Sequence, residues 1–263
     1  GAKVTVIDTG VDFAHPDLQG TQARQPFGPY EGWPIAFDDV SMLIYAFTGS
    51  TTGTWYADTS ATGTDPTISF DSKTYTTTGT SKSGTYHIGY HPDRTFTYWL
   101  WSEPVAVLVV DENTSGVYDT VYVDINDNYD FTDDKPCKKG DEISYWDRDV
   151  DGYADLSGGM VYFIADGSLP IPFSDVLLNT PLVPVNGDLV AFMINEAIGP
   201  GGDHGTLCAS AVAAQGVIDG GRPSWAIGPG GIVQGGGKDA KVISIGNLYA
   251  GAYLKLSSST EYR

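Results

Sequence analysis

The residues best suited to chemistry are an aspartate and a histidine set far apart along the chain. Asp8 closes the apolar run Val4-Thr5-Val6-Ile7, and Thr9 and Gly10 then turn the backbone away, which leaves the carboxylate projecting. His204 opens a stretch of mostly small residues, Gly205-Thr206-Leu207-Cys208-Ala209-Ser210-Ala211-Val212-Ala213-Ala214, with Asp203 placed to cap its start. A hydroxyl nucleophile is weak at its own pKa. An imidazole must take its proton, and a carboxylate must fix the tautomer of that imidazole and stabilise its charged form. Asp8 and His204 are of the types these two roles need. Asp8-Thr9-Gly10 would equally suit one half of a carboxylate dyad, but the chain has no second copy, so that chemistry would need a symmetric dimer.

Two residues 196 apart meet only if the fold brings a strand end to a helix start. The apolar runs Leu189 to Ile194 and Ala240 to Ile245 read as buried strands, and strands alternating with a helix predict a parallel α/β core. Such sheets place their chemistry at the carboxyl ends of strands, where Asp8 lies. Gly205 is expected to permit close backbone approach, and Thr206 to hydrogen-bond within the first helical turn. The texture between these flanks differs. Thr48 to Thr85 is dense in Thr, Ser, Gly and Tyr, Trp99 to Val110 is β-branched and aromatic, and Val117 to Val123 alternates with period two, which predicts antiparallel β-structure. Residues 22–185 therefore read as a β-rich insertion, with 1–21 and 186–263 forming part of the core. The glycine clusters Gly228 to Gly231 and Gly235 to Gly237 read as loop, and the core as written is short of strands.

The strand into Asp8-Thr9-Gly10, the trailing His15-Pro16-Asp17-Leu18, and His204-Gly205-Thr206 with its small-residue helix resemble the aspartate and histidine motifs of the subtilisin-like serine proteases. The resemblance implies a partial subtilisin-like parallel-sheet core, and peptide-bond hydrolysis through an acyl-enzyme with Asp8 orienting and His204 as general base. It further implies a polypeptide substrate, no organic cofactor, and a secreted or cell-surface setting. Gly32-Trp33-Pro34-Ile35-Ala36-Phe37-Asp38 resembles the pyrolysin-like branch, whose members carry large insertions at this point. No nucleophile serine motif or oxyanion-hole asparagine is identified. These are expected on a continuation or a second chain, in keeping with a chain that opens on a strand without an initiator Met. The rival expectation is an inactive, calcium-stabilised structural or binding protein, because a developing oxyanion without a donor is not stabilised.

A net charge of −19 disfavours nucleic acid and anionic membranes as partners and favours bound cations. No apolar run approaches the roughly 18 residues that a bilayer requires. Two acidic segments place side-chain oxygens at alternate positions: Asp124, Asn126, Asn128 and Asp130, and then Asp147, Asp149, Asp151 and Asp155 with the Tyr153 carbonyl. Calcium takes about six to eight oxygens, and this spacing resembles a calcium loop with Gly152 at the sharp turn, so Ca²⁺ is the expected cofactor. His87 and His91 have a zinc-like helical spacing in a region that reads as strand. Cys208 is expected to be a buried inert thiol, and Cys137 to have a lowered pKa beside Lys135, Lys138 and Lys139 if exposed. Asn113-Thr114-Ser115 is a glycosylation sequon if the chain passes through a glycosylating route.

Overall fold

The structure is a computed structural model, and it describes residues 1–38, 56–91, 103–164, 167–171, 174–175, 179–192, 204–217 and 234–246. The segments around Gly228 to Gly231, Ile194 and Asp203 lie outside these residues. In chain order the strands are β1 (Lys3–Asp8), β2 (Ala36–Asp38), β3 (Tyr56–Ala57), β4 (Ala61–Gly63), β5 (Thr67–Phe70), β6 (Lys73–Thr76) and β7 (Tyr86–Tyr90). There follow β8 (Ala106–Val110), β9 (Thr120–Val123), β10 (Cys137–Lys138), β11 (Ile143–Trp146), β12 (Leu156–Ile164) and β13 (Leu189–Phe192). Helix α1 (His204–Ala213) and β14 (Lys241–Gly246) follow, and among the described residues a short 3-10 helix spans Pro16–Leu18.

The predicted parallel sheet is present in the order β1-β14-β2. Its register pairs Lys3 with Lys241 and Asp8 with Gly246, so the carboxyl ends of both strands lie together. Helix α1 packs on this sheet through Gly205, Thr206, Ala209 and Ala213, a stripe of small side chains that lets helix and strand backbones approach. Val6, Val11, Phe13, Leu18, Ala209, Ala213 and Val242 share one buried cluster. Among the described residues β1 pairs on one side only, and its Ile7 is 61 % exposed.

The intervening region is antiparallel, in sheets ordered β10-β9-β8-β7-β4 and β11-β12-β13-β3, with a β5-β6 hairpin. Period two at Val117 to Val123 predicts one buried and one solvated face, yet all four residues of β9 and all five of β8 are buried. The alternation sorts side chains between two cores. Val107, Val109, Val121 and Val123 join the cluster that reaches the parallel sheet, while Ala106, Leu108, Val110 and Tyr122 join Tyr75, Tyr86, Ile88 and Phe131 on the other face.

The strand pairing crosses the boundaries read from sequence. β2, placed in the insertion, pairs in parallel with β14, and β13, placed in the core, pairs antiparallel with β12 and β3. A three-residue strand carries too little pattern to announce which sheet it joins. Among the described residues no helix is long and apolar enough to cross a membrane.

Candidate active site and acidic loops

At the carboxyl end of β1 the Asp8 carboxylate faces the first residue of α1. His204 Nδ1 lies 2.9 Å from Asp8 Oδ1 and 2.8 Å from Oδ2. The Thr9 amide also donates to Asp8 Oδ1, at 2.7 Å, which fixes the carboxylate from its own chain side. The Asp8 side chain is 12 % exposed and that of His204 40 %, so the pair has a buried carboxylate and an imidazole open to solvent. An Nδ1–H held by a carboxylate leaves Nε2 as the proton acceptor, the tautomer that a general base requires.

The helix start is held against β1 by backbone contact. The Gly205 amide donates to Thr9 Oγ1 at 3.0 Å, and a Cβ on Gly205 would meet the Gly10 carbonyl oxygen at 2.1 Å, so the close approach expected there is real. Gly10 itself has φ of 105°, which glycine adopts without strain. Thr206 departs from expectation: its hydroxyl accepts from the Asp12 amide at 3.0 Å, clamping helix to turn instead of closing its own first turn. Asp12 is further tied to the insertion by the Ser157 hydroxyl at 2.9 Å, and burial raises its pKa against the opposing pull of Ser157 and Ala14. Asp17 in the trailing motif accepts from the Val217 amide, pinning the chain beyond α1.

Cys208 is not the buried bystander expected from sequence. It lies one turn along α1 with Sγ 3.6 Å from His204 Nδ1, partly exposed, and burial together with the Asp8 charge raises its thiol pKa. Residues i and i+4 share a helix face, and that spacing was the signal for the contact. Cys137 is the buried one. Burial pushes its thiol up to about 12 and outweighs the nearby Lys135, so the lowered pKa expected for an exposed thiol does not arise; both cysteines are free.

Of the two acidic loops, the second gathers Asp147, Asp149 and Asp151 so that one oxygen from each lies within 4.8 Å of the others. Asp147 accepts from the Asp151 and Gly152 amides, and Asp151 from Tyr153. Asp155 stands outside that group and accepts from the Arg148 amide. In the first loop Asp124 is fully buried and accepts from the Asn128 and Tyr129 amides, Asn128 Oδ1 accepts from the Asp130 amide, and Asp130 Oδ1 from Thr132. The Asn126 and Asn128 side-chain amides both donate to Asp133, a residue that the alternating pattern left out.

The remaining motifs have structural partners. His87 lies in β7 with its Nδ1 3.0 Å from the Thr59 carbonyl oxygen and its ring edge-on to Tyr118, and this strand setting does not give the helical spacing that zinc would use. Asn113 donates to Asp119. The chain does contain a Gly-Thr-Ser tripeptide, Gly79-Thr80-Ser81, before β7, where Ser81 Oγ donates to Asp111 Oδ1 at 2.6 Å.

The subtilase family model matches residues 1–250. No curated protein and no solved structure gives a significant match.

Proposed function

The chain belongs to the subtilase family of serine proteases, and from that premise we propose that it contributes Asp8 and His204 to an endopeptidase site whose serine and oxyanion asparagine lie on a continuation or a second chain. The observation that carries this reading is His204 Nδ1 within 2.9 Å of both Asp8 oxygens at the carboxyl end of β1. In the reaction His204 Nε2 takes the serine proton as the hydroxyl attacks the peptide carbonyl, then returns it to the leaving amine, while Asp8 keeps the ring oriented and stabilises its cationic form. With His204 on Asp8, the face that a second carboxylate would need is taken, which argues against the aspartic-dyad alternative. The one-sided pairing of β1 and the exposed Ile7 favour a further strand there.

The test uses native full-length material treated with a fluorophosphonate probe and analysed by denaturing mass spectrometry. Labelling of a serine in an associated segment, lost in His204→Ala, is the expected result. Absence of label on material that retains the fold would leave the inactive binding protein as the better reading.

The same proposal gives the chain a structural calcium ion at Asp147, Asp149 and Asp151, where all-oxygen donors without histidine or thiolate suit a hard cation. Export to a calcium-rich, extracellular setting fits this donor set and the net charge of −19. Calorimetric titration of chelator-treated protein should lose this site in the D149N/D151N double variant.

A further inference from the structure

The connection from β9 to β10 contains a group that the rest of the fold does not account for. Asp134 is only 7 % exposed, and its buried carboxylate has no side-chain hydrogen bond; the donor set against it is the Ile125 amide. The side-chain oxygen of Asn126 is buried and unpartnered. Asp124 is fully buried and near enough for its charge to act on Asp134, and its two oxygens each take a single backbone amide, leaving lone pairs for another partner. The largest charges acting on Asp134 are those of Asp124, Asp133 and Asp130, all of the same sign, with the Ile125 amide opposing them.

Folded proteins bury a carboxylate when it is paired, hydrogen-bonded or metal-bound. Protonation alone answers only part of the problem here. Burial, followed by the charges of Asp124 and Asp133, pushes the Asp134 carboxyl up to about 9, yet protonating Asp134 alone would leave the like charges of Asp124, Asp133 and Asp130 unbalanced around it. A cation satisfies both oxygens and removes the repulsion among the surrounding carboxylates at once.

We propose that the β9–β10 connection is built around a divalent, oxygen-seeking cation of the calcium class, with Asp134 as its innermost ligand and Asp124 and the Asn126 side-chain oxygen beside it. This deepens the cation reading of the acidic loops and changes its ligand set. Asp134 replaces Asp130 as the anchoring acid of the first loop, because Asp130 sits toward solvent with one oxygen occupied by the Thr132 amide. Its consequence is mechanical: the ion would tie the end of β9 to the start of β10 and so close the edge of the five-stranded sheet.

The test is calcium titration calorimetry and thermal melting of the chelator-treated full chain in a D149N/D151N background, so that the second acidic loop does not contribute. The background protein is expected to bind one calcium ion and to melt higher with it; adding Asp134→Asn should abolish the binding and the shift, while in chelator the variant melts no lower than its parent. Unchanged binding in Asp134→Asn overturns the proposal, as does a melting change equal with and without calcium. If that variant does not fold, crystals of the parent soaked in calcium decide through anomalous scattering: a peak between Asp134 and Asp124 supports the site and its absence sinks it. Should D149N/D151N bind calcium at the same stoichiometry as the wild type, the second loop's reading fails alone, and the Asp134 comparison still stands.

Discussion

At the scale of single residues, the contact between Asp8 and His204 carries the proposed function, and it makes a quantitative demand. Replacing Asp8 by Asn keeps the shape of the side chain but presents an amide that can donate to Nδ1, which favours the wrong tautomer. In the completed enzyme Asp8→Asn should therefore lower kcat by about 10⁴-fold, and His204→Ala should abolish acylation, both read from the rate of fluorophosphonate labelling. A loss under tenfold in Asp8→Asn would contradict the assigned role. These two residues were legible because a strand ending in Asp-Thr-Gly and a small-residue helix opening on His each have a local signature. Their clamps were not: Thr206 binds an amide 194 positions away, and nothing near Thr206 in sequence announces it. The acidic loops divide in the same way. Alternating oxygens found both loops, but whether Asp130 or Asp134 turns inward is decided by the packing beneath them.

At the scale of elements, β8 and β9 show why period two can mislead. Alternation normally separates core from solvent, whereas here it separates one core from another, and only the layers packed on each face reveal it. The end of β8 is fastened by a single fully buried carboxylate, Asp111, which accepts from Ser81 Oγ and from the Ser83 and Gly116 amides. Burial alone would raise its pKa, but these donors outweigh it and hold the group below the ordinary carboxylate value. With a folded pKa below the unfolded one, Asp111 adds stability that is fully present above the unfolded value near pH 4 and drains away as pH falls through the folded value. Asp111→Asn should thus lower the melting temperature at pH 7 and flatten its decline in acid. Melting curves from pH 7 to 2 test this, and an acid limb as steep in the variant as in the wild type would refute it. Helix α1 gives the converse case, a feature that sequence reading undervalued. Its last carbonyls are taken by the amides of Gly236 and Gly237, and a Cβ on Gly235 would sit 2.4 Å from the Val212 carbonyl carbon. Those glycines read as loop alone, yet they cap a helix more than twenty residues upstream.

At the scale of the whole molecule, core and insertion are joined too closely to be separate bodies. Within the insertion Arg24 meets the fully buried Glu142 with two hydrogen bonds of 2.8 and 2.7 Å and also holds the Gly32 and Gly140 carbonyls, which fixes the segment leading into β2 of the parallel sheet. Ser157 holds Asp12 four residues beyond Asp8. The fold class was visible in the sequence because the apolar runs at Val4 to Ile7 and Ala240 to Ile245 mark two parallel strands, although the run from Leu189 forms the antiparallel β13, whereas the seam between the two regions was not, because single side chains and a three-residue strand make it. The separation of 196 residues between Asp8 and His204 also bears on how the molecule is made. At about 5–20 residues per second, a ribosome delivers His204 roughly 10–40 s after Asp8, and the long intervening segment must close before the pair can meet. Through that interval the emerging chain holds a carboxylate without its imidazole, so the proposed pair forms only once the insertion has found its place.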